Sequence, residues 1–163
     1  MTPTVQNILL PTDFSACSQR AVEYASALAR KLGAAVHLVH VLEEPFTTNG
    51  AWEFHRPDTP ELRERMYQDC RARLATVADK LHHDDVSQVT TEVRSGTPTD
   101  AIVAAAVDYG ADLIVMATHG RSGLPHLLLG SVAERVIRHA RCPVLAVRES
   151  GAARMHGAAD KVA

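Results

Sequence analysis

The chain has 163 residues, 46% apolar and 22% charged, which suits one globular domain with a full core. A formal net charge of -2 and a pI near 6.5, with no basic stripe, argue against nucleic acid and anionic membranes as partners. Cys17, Cys70 and Cys142 are odd in number and far apart, matching neither a disulfide framework nor a metal-site spacing. That cysteine usage points to a reducing, cytoplasmic setting; no signal peptide is expected, and no apolar run approaches membrane-spanning length.

Residues 5–10 (VQNILL) form a short apolar run stopped by Pro11-Thr12-Asp13, which predicts a buried strand and a turn. Ser15 is placed to cap the following helix, whose apolar face is Val22, Ala25, Leu28, Ala29 and Leu32 and whose stop is Gly33. Residues 35–42 (AVHLVHVL) predict the second strand. Residues 43–60 form a long connection carrying Phe46, Trp52 and Phe54, read as rings that pack a surface loop. Leu62, Met66, Cys70, Leu74, Val77 and Leu81 mark the second helix. His82-His83-Asp84-Asp85, just past it, lacks the ligand spacing of a structural metal site.

Residues 89–94 alternate like a strand with one wetter face. Thr97-Pro98-Thr99-Asp100 predicts a helix start with Thr97 as cap, and residues 101–109 continue that helix to Gly110. Residues 113–117 (LIVMA) predict the fourth strand. Val132, Val136, Ile137 and Ala140 give the last helix its apolar face, and residues 143–148 (PVLAVR) predict the fifth strand. Residues 149–163 are Ala- and Gly-rich with no packing pattern and are expected to form a disordered tail to a domain spanning 1–148.

Strands alternating with helices predict an α/β domain: a five-stranded parallel sheet, doubly wound, Rossmann-like, with helices on both faces. Such sheets bind ligands at the carboxyl ends of their strands, where the winding reverses. The stretch 116–132 (MATHGRSGLPHLLLGSV) leaves the fourth strand, passes Gly120, Gly123 and Gly130, and enters a helix at Ser131. Glycines that adopt positive φ or let backbone approach, followed by a helix N-terminus, make an anion cradle. With strand order 3-2-1-4-5, this loop meets Pro11-Thr12-Asp13 across the switch point. The loop would then hold phosphates, and Asp13 would take a ribose hydroxyl or a phosphate-bound Mg²⁺. The competing reading leaves Asp13 as a helix cap, His119 as an ordinary loop histidine and Cys142 as a packed, inert thiol.

These residues resemble the universal stress protein family from Val5 to Arg148. The family's nucleotide-binding members carry a loop written G-x2-G-x9-G-S/T. Here Ala117-Thr118-His119-Gly120 is followed by nine residues and then Gly130-Ser131, so only the first glycine differs, replaced by Ala117. LPTDFS near the start, His40-Val41 and the phrase GSVAERVIRHARCPVLAVR also match. The resemblance implies an adenine nucleotide, ATP or else AMP or ADP, with Mg²⁺. It sets Pro11, Thr12 and Asp13 against adenosine and Val41 in the adenine pocket. It sets Met116, Ala117, His119 and Gly120 along the ribose and phosphates, and Gly130, Ser131 and Val132 on the phosphates, with Arg121 and Ser122 nearby. The methyl of Ala117 is the one departure that bears on affinity.

Three functions compete. The first is a stress-response or signalling module that acts through nucleotide occupancy. The second is a weak ATPase, against which stand the missing Walker GxxxxGK(S/T) loop and the want of a base beyond His119 and Asp13. The third is a ligand-free dimeric interaction protein. The fifth strand is expected at a sheet edge, with Val144, Leu145 and Val147 unguarded by charge, and the resemblance implies a homodimer through it.

Overall fold

The computed structural model describes residues 4–43, 59–119 and 129–148. The aromatic loop residues Phe46, Trp52 and Phe54 lie outside them, as do Gly120, Arg121, Ser122, Gly123 and the tail from residue 149. The elements run β1 (Asn7–Pro11), α1 (Ala16–Leu32), β2 (Ala35–Leu42), α2 (Pro60–His83), β3 (Val89–Ser95), α3 (Pro98–Asp108), β4 (Leu113–Ala117), α4 (Ser131–His139) and β5 (Val144–Val147). All four strand pairings are parallel, as the alternation of elements predicts, and the order is β3-β2-β1-β4-β5, the one expected to bring the two ligand loops together.

The inner strands explain the apolar runs. Ile8, Leu9 and Leu10 are consecutive and fully buried, which requires cover on both faces of the sheet. Ile8 and Leu10 join Val22, Ala25, Leu74 and Leu81 in the core under α1 and α2. Leu9 joins Ile102, Ile114, Met116 and Val136 in the core under α3 and α4. β3, with one neighbour only, is half-buried or exposed at every position, wetter than the inner strands but without the alternation expected of it. Its Glu92 accepts from Arg94 Nε and from the Tyr109 hydroxyl, both at 2.9 Å, and Arg94 also pairs with Asp108 at 2.8 Å.

Helix ends follow the local chemistry with one exception. The Ser15 hydroxyl accepts from Ser18 N–H at 3.2 Å, and Gly33 closes α1 at φ 69. Thr59 caps α2 in the same way, starting that helix at Pro60, just ahead of its first apolar position. Thr97 occupies the cap position of α3, yet its side chain makes no capping bond. His82 and Asp84 are engaged in packing the turn after α2. His82 Nδ1 bonds the Val86 carbonyl at 3.0 Å, and Asp84 accepts from Ser26 at 3.1 Å.

β1 ends one residue later than its apolar run, at Pro11, and this shapes the sheet. Ala35 N–H donates to Gln6 O, and Thr12 N–H to Val39 O, so the even positions of β1 face β2. The odd positions face β4, and Asp112 N–H donates to Asn7 O. The donor that Pro11 lacks is therefore on the β4 side. Pairing of β1 with β4 runs from Ile8↔Leu113 to Leu9↔Ile114 and goes no further. A proline in an inner strand is accommodated where the ladder stops, and here the β1–β4 ladder ends short of the carboxyl ends of both strands.

The two helix starts give a direct test. Ser15→Ala should destabilise the fold by about 1 kcal/mol in urea denaturation. Thr97→Ala, which removes no capping bond, should cost far less.

Candidate functional site

Two connections leave the sheet at the carboxyl ends of these strands: the turn from β1 into α1 and the connection from β4 into α4. In the first, Thr12 is buried and tied on every side. Its N–H donates to Val39 O at 2.9 Å, its carbonyl lies 2.7 Å from His40 Nδ1, and its hydroxyl bonds Ser18 Oγ and Phe14 N–H. Phe14 takes a left-handed φ of 63, a conformation an aromatic residue rarely adopts. Asp13 Oδ1 accepts from Ser15 N–H at 3.0 Å and from Ser15 Oγ at 2.6 Å. Asp13 thus braces the cap of α1.

In the second connection, Thr118 does for β4 what Thr12 does for β1. It is buried, and its N–H donates to Val147 O at 2.9 Å. Its carbonyl accepts from Gly130 N–H at 2.7 Å, and its hydroxyl bonds His119 Nδ1 at 3.0 Å. Gly130 is the N-cap of α4 at φ -74, so left-handed freedom is not why glycine stands there. The reason is room. A Cβ built on Gly130 would lie 2.9 Å from Thr118 O and 3.6 Å from His119 Cα. Close approach is the part of the glycine-cradle expectation that holds at this position.

Glycine has a second consequence. A serine cap, as at α1, consumes first-turn amides with its own oxygen, whereas Gly130 makes no side-chain capping bond. The first-turn N–H groups of Ser131, Val132 and Ala133 therefore receive no capping oxygen from residue 130, and the positive end of the helix dipole lies behind them. Glu134, an acid in that turn, is held by Arg138 at 2.8 Å one turn on.

The remaining predicted residues fall as follows. Pro11 and Thr12 are buried at the end of β1, and Asp13 is half-buried. Val41 lies near the carboxyl end of β2, level with Arg94 of β3. Met116 is buried in the core under α3 and α4, and Ala117 is half-buried at the end of β4, level with Val147. His119 is half-buried beside Thr118, Ser131 is exposed and Val132 half-buried. Gly120, Arg121 and Ser122 lie outside the described residues. Thr118, Phe14 and His40 were missed as parts of the frame. Each lies in a stretch that matches the family: Thr118 in the glycine loop, Phe14 in LPTDFS and His40 in His40-Val41. A separate cleft of about 640 Å³ along the free edge of β3, bordered by Tyr67, Arg94, Thr97 and Asp108, includes none of the predicted site residues. Burial pushes the Cys142 thiol up from its ordinary range, away from reactivity.

The fold and site define a class: a doubly wound α/β domain whose switch point carries a helix that starts at a glycine. The universal stress protein family model matches residues 4–148. The chain belongs to that family. Universal stress protein MJ0531 of Methanocaldococcus jannaschii is 36% identical over 148 residues, covering 88% of this chain and 82% of the relative. The solved structure of MJ0577 from the same organism superposes with a TM-score of 0.76 at 29% identity, covering 91% of this chain and 99% of that one. A universal stress protein crystallised in complex with cAMP matches with a TM-score of 0.64 at 26% identity, covering 88% of this chain and 97% of that one. Among the described residues no helix is long and apolar enough to cross a membrane.

The contact at Gly130 sets an expectation for stability. Gly130→Ala should cost about 1–3 kcal/mol, the range for forcing a methyl into packed backbone. Thermal unfolding at matched pH is the check. An unchanged midpoint would mean that the start of α4 moves off the strand freely.

Proposed function

We propose that this protein is an ATP-binding stress-response module, cytoplasmic, which acts through nucleotide occupancy in a homodimer rather than through turnover. The observation that carries the proposal is the approach of Gly130 to Thr118, at 2.7 Å from N to O. It brings a helix start without a side-chain cap from Gly130 to the end of β4, beside the place where the β1–β4 ladder ends. In this reading the first-turn amides from Ser131 and Val132 receive phosphate oxygens, with His119, Gly120, Arg121 and Ser122 along the phosphates. Pro11, Thr12, Asp13 and Val41 hold adenosine, and Met116 and Ala117 floor the ribose. The cAMP complex of a family member supports an adenine nucleotide, and AMP or ADP would use the same amides.

The residues suit Mg²⁺ as a partner of the phosphates. Magnesium takes one or two carboxylates, keeps several waters and completes its shell with phosphate oxygens. Asp13, braced by Ser15, supplies such a carboxylate. When bound, the ion neutralises charge between phosphates. Gly130→Val should abolish binding of ATP and Mg²⁺ in calorimetry, while the unaltered protein binds ATP more tightly than adenosine and releases nucleotide detectable by mass spectrometry. No heat with any adenine nucleotide, and none released, would replace this reading with the ligand-free dimer.

Assembly is proposed through β5, an edge strand of four residues. Ile114 N–H donates to Pro143 O, and Thr118 N–H to Val147 O, so the odd positions of β5 face β4. The backbone groups of Val144 and Ala146 then point to the open side. A second copy, antiparallel about a two-fold axis, is the simplest closed partner, with Val144, Leu145 and Val147 near the contact. Light scattering should give twice 17.6 kDa. Ala146→Pro, which deletes an outward donor without touching the bonds to β4, should shift the protein to monomer. A dimer indifferent to that proline uses another surface.

A further inference from the structure

We infer that His40 is the positioning residue of this site, clamping the β1–α1 turn to the end of β2 through the proton on Nδ1. Its effect on affinity rests on the nucleotide reading above, while its effect on the turn does not. His40 is 5% exposed, within a strand whose neighbours Leu38 and Val39 are also buried. A buried imidazole needs a partner for its polar atoms, since an unmade hydrogen bond there carries the full desolvation cost. Nδ1 lies 2.7 Å from the Thr12 carbonyl. A carbonyl oxygen only accepts, so Nδ1 carries the proton and the tautomer is set by the turn.

The bond completes a pair. Thr12 N–H is already given to Val39 O, and its carbonyl now receives from His40. With both of its backbone groups tied to β2, the peptide plane leading into Asp13 has no freedom to rotate. The next link is aromatic. The Phe14 ring sits 4.5 Å from the His40 ring, and the Arg73 guanidinium of α2 lies 4.0 Å over the other partner, Phe14. These contacts hold Phe14 at its left-handed φ, a conformation that persists only where surroundings over-determine it. His40 therefore stands next to Val41 in the chain and one hydrogen bond from the peptide of Asp13. It fixes the distance between the two walls assigned to adenosine.

Two amide replacements separate this role from bulk packing. Asparagine places an amide N–H close to the position of Nδ1, and glutamine places it nearer Nε2. In ATP titrations with Mg²⁺, His40→Asn should stay close to the unaltered protein, while His40→Gln should weaken binding by about tenfold or more, the loss of one buried hydrogen bond. Amide hydrogen exchange without nucleotide supplies a second readout. In His40→Gln, Phe14 and Ser15 should lose protection while the amides of β4 keep theirs; in His40→Asn, all should hold. The ¹⁵N spectrum of the unaltered protein should put the His40 proton on Nδ1. A proton on Nε2, or a glutamine variant with unchanged exchange at Phe14 and Ser15, overturns the clamp. Unchanged exchange protection with unchanged ATP affinity overturns it as well. An unaltered protein that binds no nucleotide overturns the functional reading alone, and the exchange and nitrogen measurements then decide on His40.

Discussion

The structure turns on the 2.7 Å hydrogen bond from Gly130 N–H to Thr118 O, made where no side chain fits. It closes the connection between β4 and α4, so that a helix begins almost on top of the strand that leads to it. What the start of α4 itself offers an anion is backbone: amides without intrahelical partners and the dipole behind them. A residue with a Cβ would push the helix start outwards, and a capping side chain would consume the amides. Glycine meets both demands through size, with an ordinary φ.

Across the switch point the same problem is solved with buried polar side chains. Thr12, Ser18, His40 and Thr118 are all buried, and each is hydrogen-bonded to backbone or to a neighbour at the carboxyl end of the sheet. Inside an otherwise apolar core such groups are stable only when satisfied, and satisfied networks make a unique geometry. Pro11 has no donor to give β4, and the β1–β4 ladder ends at Leu9. The strand ends on either side of the switch point are held by what these side chains pair.

The two edges of the sheet are treated differently. β3 carries Glu92 and Arg94, locked with Tyr109 and Asp108 into an ionic cluster that makes the edge polar. β5 runs Val-Leu-Ala-Val with no charge inside the strand. Charged edges resist pairing and apolar edges invite it, so the sheet is asymmetric in what it offers a second copy.

Much of this was legible in the chain itself. Apolar runs separated by amphipathic segments define parallel strands and covering helices, because strands buried on both faces must be apolar throughout while helices need only one face. Short-range chemistry determined the cap at Ser15 and the stop at Gly33, and the motif around Gly130 pointed to the family. What only tertiary structure decided lies in contacts between residues distant in sequence. The reason for Gly130 is a carbonyl twelve residues earlier, the left-handed Phe14 is held between a strand and a helix, and His40 owes its proton position to Thr12. Thr97 is the converse case, a residue with the right local chemistry that makes no capping bond in the fold. Periodicity records which faces are buried; it holds no record of which atoms meet when separate segments are brought together, and at this site those meetings set the geometry.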